Sequence, residues 1–400
     1  RTANGGVISG EAANSGSVTV EATSGDAWGL AATNGGKLSG DANRAISNVT
    51  VTAKTAGKTA YGLFASGDAA INGTNIKQLT VNSAGSGAGI YANNSSVDVK
   101  ADNVTVSASS ALGVAADNSG SVSADFGSLS VTAKDGLAYG ISVNSNKASS
   151  VAVAGGLTVK GANGGAGIEL SDAAHHVTVG GLTDVTIKED GDNAVAVDDG
   201  STAVLNGGVS LDVTGKDEVN GVVAYDGSVS ISGDKAVIRA ATTGSDKTAY
   251  ALRNTGSGDI TINTGDEGVE LAASSVNGAA QAIGNSGTGK VTVTTKGQVS
   301  FDVTGLTAKG IYNTTSQGTG VTVSADQGSN YAVTATNGDA YGIAADGVAL
   351  DYGKVNNVTV TATNGNAYGL LADNGGTLSG DTASPIKSLT VTASTAGYSA

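Results

Sequence analysis

Short alternating runs of aliphatic and hydroxyl residues recur along the whole chain. Val49-Thr50-Val51-Thr52, Val104-Thr105-Val106-Ser107, Leu129-Ser130-Val131-Thr132 and Val358-Thr359-Val360-Thr361 are the clearest. A period of two, with Val or Leu to one side and Thr or Ser to the other, predicts half-buried β-strands. Two other runs accompany each of these. One is an Ala-Tyr/Trp-Gly-aliphatic stretch such as Ala340-Tyr341-Gly342-Ile343, and the other is a run such as Ser228-Val229-Ser230-Ile231 or Lys290-Val291-Thr292-Val293. None of them has the spacing of an amphipathic helix. An all-β chain built from three short strands per unit is expected.

The Gly-aliphatic pair, or its Ala variant, marks the register of the units. It falls at Gly29, Gly62, Gly89, Gly113, Gly140 and Gly167, then at Ala194, Gly221, Ala251, Ala282, Gly310, Gly342 and Gly369. Successive gaps run from 24 to 33 residues and total 340. That total is the offset at which residues 365–400 lie over residues 25–60, with 21 of 36 positions identical and no gap. Self-similarity at this period marks a solenoid rather than a globule. The expected fold is a right-handed parallel β-helix of about 13 coils of ~27–28 residues, each strand pairing with its equivalent one coil on. The whole of 1–400 reads as one solenoid and as a fragment of a longer repetitive protein. Arg1–Gly10 matches the second half of a unit, and Ala400 stops where another Tyr-Gly strand is due.

Composition narrows the picture further. There are 62 Gly, one Pro, no Cys and no Met, and aromatic residues make up only 4%. Tight turns between short strands use such glycines, and the many β-branched residues argue against disorder. Without cysteine there is neither a disulfide nor thiol chemistry. The formal net charge of −14 disfavours nucleic acid and anionic lipid surfaces. No apolar run is long enough to span a membrane, so insertion of this segment is not expected.

Candidate chemistry is sparse. A row of Asn and Asp follows the first strand of each unit, and Asn34, Asn94, Asn118, Asn144 and Asn374 are expected to form a structural ladder of turn residues. These side chains tolerate left-handed backbone and hydrogen-bond their own turn, and stacked amides can pair between coils. The row is most acidic at Asp172, Asp198, Asp199 and Asp226, weak candidates for a Ca²⁺ site, since Ca²⁺ takes several oxygens. No cofactor is otherwise expected. His175 and His176 are the only histidines, and neighbours on a strand face opposite ways, so they cannot share a metal. By alternation, Trp28, Tyr61, Tyr139, Tyr250, Tyr341 and Tyr368 should share a face with the buried Leu or Ile two residues later and stack at a corner. An exposed aromatic strip for sugars is the competing reading. Glycan-cleaving β-helices need paired acids or an arginine with metal-bound carboxylates; Arg1, Arg44, Arg239 and Arg253 form no convergent cluster in the sequence. No enzymatic activity is expected.

Coils of this length, the lack of Cys, the acidic balance, Asn-Gly-Gly turns (Asn34-Gly35-Gly36, Asn374-Gly375-Gly376) and Thr/Ser-rich strands together resemble the passenger region of bacterial autotransporters, in particular the self-associating, adhesin-type members. The resemblance covers the whole chain. It implies a right-handed β-helix displayed on, or released from, a bacterial surface and used for attachment, autoaggregation or biofilm. Its partners would be neighbouring copies, or host and matrix glycans or proteins. The Gly-Asp-Ser-Gly motif of proteolytic members is absent; Gly25-Asp26-Ala27 and Gly191-Asp192-Asn193 lack the nucleophile. A filament or surface-layer subunit stacking end to end, and a glycan-cleaving enzyme, are the alternatives.

Overall fold

Strands with one aliphatic face must cover it, and here each does so by facing the other sides of its own coil. A computed structural model describes residues 7–9, 16–40, 45–314 and 320–394. Among them the regular structure is entirely β, with no helix, and every recorded strand pairing is parallel, as expected for the right-handed β-helix. The residues at the two ends, 1–6 and 395–400, lie outside the described set, and so do Arg44 and the expectation of incomplete terminal coils.

The chain divides into two compact units, Arg1–Ile187 with Asp198–Ala203, and Lys188–Val197 with Val204–Ala400. In the first unit the Tyr-Gly strands Ala27–Thr33, Thr59–Ser66, Ser86–Asn93, Ser110–Asn118, Ala138–Ser145 and Gly165–Ser171 form one ladder. Leu63, Ile90, Val114, Ile141 and Ile168 stand in one row of that ladder and are fully buried. In the second unit the equivalent ladder runs through Gly191–Val197, Val219–Ala224, Ala249–Asn254, Ala279–Asn285, Thr307–Asn313, Ala340–Asp346 and Ala367–Asp373. Its buried row includes Val222, Leu252, Ile283, Ile311 and Ile343. The third-strand residues Val49, Val51, Leu79, Val81, Val104 and Val106 close the first unit's core from the opposite side.

Three strands per coil is not uniform. In several coils the second and third runs fuse into one long strand, as in Ala70–Ser83, Ser96–Ala108, Ser121–Ala133, Ser228–Ser245 and Ile260–Asn277. Elsewhere they remain separate, as in Ser150–Val153 and Leu157–Gly161. In the fused coils the ladder continues from one run into the next.

The register glycines work by close approach. A Cβ on Gly62 would lie 2.5 Å from the carbonyl oxygen of Gly89 and 2.8 Å from Leu79 Cδ1; on Gly29 it would lie 2.6 Å from the Gly62 oxygen. The glycines therefore form a column in which each backbone rests on the next. Pairing skips the glycine: Tyr61 pairs with Ala88 and Leu63 with Ile90. Gly62 and Leu63 both face inward, so the alternation slips by one residue at this step. Where Ala replaces Gly, at Ala194, Ala251 and Ala282, the methyl is fully buried and the coils have made room for it.

Buried polar groups are served largely by the coil before. Ser83, Ser145, Thr242 and Thr295 face inward where a strand ends, and their hydroxyls donate to Lys58 O, Asn118 O, Asp217 O and Gly265 O. Each accepts in turn from the backbone N–H two residues on. Asn254, Asn285 and Asn313 occupy one interior row. Their amides donate to Gly258 O, Gly289 O and Ala349 O. Phe301 and Tyr331, cross-strand partners in the second unit, stack inside it with centroids 4.3 Å apart.

Gly62→Ala should destabilise the protein by about 1–3 kcal/mol through overpacking. Gly25→Ala, where an added Cβ meets nothing within 4 Å, should stay within about 0.5 kcal/mol of the parent. Urea denaturation followed by far-UV circular dichroism compares the two, and equal midpoints would contradict the close-approach account.

Candidate functional site: an aromatic outer face

The slip at the register glycine decides where the rings go. In Thr59–Ser66, Ala60, Gly62, Leu63 and Ala65 are buried, whereas Tyr61 and Phe64 are half-buried and face outward. The Tyr and Trp residues before the register glycines thus do not share a face with the aliphatic residue two positions on. The expectation of buried corner stacks is corrected: two consecutive inward residues, Gly and Leu, reverse the parity. The chain has one Trp, eleven Tyr and three Phe. Among the described residues, nine sit on the outer faces of the Tyr-Gly ladders: Trp28, Tyr61, Phe64, Tyr91 and Tyr139 in the first unit, and Tyr250, Tyr312, Tyr341 and Tyr368 in the second.

In the first unit the rings form a contiguous patch. Phe64 lies 6.4 Å from Trp28, 4.7 Å from Tyr61 and 5.9 Å from Tyr91, centroid to centroid. Trp28 is 37% exposed, so the patch has an open flank. The Tyr91 hydroxyl donates to Asp117 Oδ2 at 2.7 Å, and burial together with that carboxylate pushes its pKa up to about 12. Tyr91 is thus a fixed neutral donor whose rim carries a carboxylate.

The second unit combines rings with cations. Lys309 Nζ sits 3.3 Å from the Tyr312 centroid and 5.6 Å from that of Tyr341. Desolvation against these rings lowers its pKa below the ordinary lysine value, against the opposing pull of Asp346. Tyr341 stacks on Tyr368 with centroids 5.0 Å apart and planes 12° apart. Arg253 lies over Tyr250 at 4.8 Å and donates to Glu218. Such pairs contribute about 0.5–1.5 kcal/mol each beyond the area they bury. They hold the rings in place, and the exposed edges remain available for contact.

The Asn and Asp row falls where the first strand ends. Asn34, Asn94, Asn118 and Asn374 adopt φ between 46° and 60°, the left-handed turn conformation. Amide contacts between coils are short links: Asn118 Nδ2 donates to Asn93 Oδ1 at 3.1 Å, and Asn374 Nδ2 to Asp346 Oδ1 at 2.7 Å. Asn144 differs. It lies within Ala138–Ser145 opposite Asp117, and the position matching Asn118 is taken by the buried Ser145. An inward hydroxyl bonding Asn118 O and Gly120 O replaces the amide turn there.

The acidic residues are engaged as turn caps. Asp199 Oδ2 accepts from the Asp172 backbone N–H at 2.8 Å, and Asp198 Oδ1 from that of Asp199 at 2.8 Å. Asp226 Oδ1 accepts from both the N–H and hydroxyl of Ser257, which lowers its pKa. Among the described residues no group of three or more His, Cys, Asp or Glu is arranged to hold a metal ion. Asp190 and Asp217 are engaged by Lys216 and Lys247, each at 2.9 Å.

The two histidines part as neighbours on a strand must. His176 is exposed and contacts Thr178, whereas His175 is 2% exposed. Its Nδ1 accepts from the Ser149 N–H at 3.1 Å, which places the ring proton on Nε2, 2.9 Å from Ser171 O. Neither inward histidine nor inward asparagine was legible from sequence, because the strand phase at these positions follows from the coil corners.

No family model, no curated protein and no solved structure matches this chain. No helix among the described residues is long and apolar enough to cross a membrane.

Burial lowers the His175 pKa below 6.5. A depressed histidine stabilises the fold above the unfolded-state value, and that contribution is lost as pH falls through the folded-state value. Melting temperature should therefore drop between pH 7.5 and pH 5 more steeply in the parent than in His175→Gln. Equal slopes in differential scanning calorimetry would contradict it.

Proposed function

We propose that this chain is a surface-displayed or secreted adhesive solenoid of the autotransporter-passenger kind, making many weak contacts through its side. The observation that carries this reading is the outward placement of aromatic rings on the Tyr-Gly ladder of each unit, five in the first and four in the second, in a protein that is otherwise acidic and hydroxyl-rich. Cross-strand ring pairs support a sheet, but that role does not require an open tryptophan. Contiguous exposed aromatic surface is typical of contact sites. A repeat scaffold presents such patches at intervals, and avidity then multiplies modest affinities. The outcome is attachment or clumping, with neighbouring copies or matrix molecules as partners and no chemistry performed on them.

Beads coated with the full chain provide the test. They should clump, or adhere to matrix-coated surfaces, and combining Trp28→Ala with Phe64→Ala should reduce this about tenfold or more, as expected for exposed aromatic hot spots. Undiminished adhesion by a variant with the parent's circular dichroism spectrum would refute the reading.

A further inference from the structure

The outside of the first unit carries a groove on strands other than those that bear the outward aromatic rings. Strands Ser96–Ala108 and Ser121–Ala133 bend between their two halves, and Ser150–Val153 and His176–Val179 continue the ladder of the first halves. Glycines line the bend: a Cβ on Gly127 would strike the carbonyl of Asp102, and one on Gly180 that of Ala154. Along it lies a hollow of about 410 Å³ that includes Lys100, Asp102, Asp125, Ala152 and Thr178 in its lining. A second, of about 310 Å³, adjoins it at the shared Lys100 and Asp125 and adds Asp98 and Ser123. A third, of about 400 Å³, shares Asp98 and Ser123 and extends to His176. The three adjoining hollows make a furrow whose lining residues come from successive coils.

Its chemistry is that of a hydroxyl-binding surface. Lys100 stands opposite Asp125 on the next coil, Asp98 opposite Ser123, and Ser123 opposite Ser150. Donors and acceptors therefore alternate across a floor of Ser, Ala and Gly. The backbone of the floor offers little to an added strand, because Ser123–Phe126 and, apart from Asp98 at a bulge, Ser96–Ala101 are paired on both sides. That removes the main-chain pairing by which extended peptides join sheets. Three carboxylates against one ammonium repel polyanions such as sulfated glycans or nucleic acid. Coil spacing of about 4.8 Å is close to the rise per sugar of a β-1,4-linked chain, so one coil can serve one sugar.

We propose that this furrow binds a linear, neutral or amino-sugar oligosaccharide lying across the coils, with Asp98, Lys100 and Asp125 hydrogen-bonding its hydroxyls. The site is independent of the aromatic face, so clumping can fail while this binding persists, and the reverse.

Isothermal titration of the full chain with cellohexaose and with chitohexaose tests it. Saturable binding of at least one is expected. Ala152→Phe, which fills the floor, and Asp125→Asn, at an exposed position, should each weaken it about tenfold or more. Lys134→Ala, at an exposed position outside both the furrow and the aromatic face, should bind as the parent does. If Ala152→Phe does not fold, Asp125→Asn alone decides. Absence of saturable heat with both sugars, or parental affinity in Asp125→Asn, would overturn the proposal. So would a preference for a lysine hexapeptide that vanishes in high salt, which would identify the furrow as a charge trap.

Discussion

The close approach of backbones at the register glycines is the constraint on which the first unit depends. Gly29, Gly62 and Gly89 leave no space for a methyl between one coil's α-carbon and the next coil's carbonyl. The small residue at this position and the Leu, Ile or Val after it both turn inward, whether the first is Gly62 or Ala251. Parity then reverses, and the residues on either side of the pair both point out. One small residue thereby sets the core, the strand shape and the destination of the rings. Alanine at this position in the second unit shows the column relaxing where neighbouring coils differ.

The core left by this arrangement is narrow and aliphatic. Phe126, Phe301 and Tyr331 are the large rings found inside, and the last two stack on each other. The other side chains of high contact value are placed outside, where they bury part of themselves against cross-strand neighbours and leave edges open. Polar atoms that do enter the interior, such as the Asn254 amide and the Ser145 hydroxyl, close turns that would otherwise expose backbone. Not every such atom is served: Thr183 Oγ1, Asn285 Oδ1, Asn313 Oδ1 and the Tyr331 hydroxyl are buried with no hydrogen-bond partner, which costs stability.

Much of the fold could be read directly from the chain. Val49, Val51, Val104 and Val106 are buried as their alternation indicates, and the thirteen register positions each lie in a strand of the Tyr-Gly ladders. The site was legible only in its ingredients. Tyr61 was visible, but its direction depends on the slip at Gly62 and Leu63, and strict alternation assigns it the wrong side. Asn144 looked like its neighbours in the turn row, although a one-residue shift gives that place to Ser145. The furrow of Asp98, Lys100 and Asp125 could not be found by spacing, since it arises where a continuous strand bends at glycines that resemble any others.

The hydroxyls that bridge coils have a preferred sense. Ser83, Ser145, Thr242, Ser275, Thr295 and Thr336 all reach back to a carbonyl of the preceding lap, with Ser329 pointing the other way. Each lap is consequently tied by its side chains to the one before it, so disrupting one lap strips the hydroxyls of the next of their acceptors.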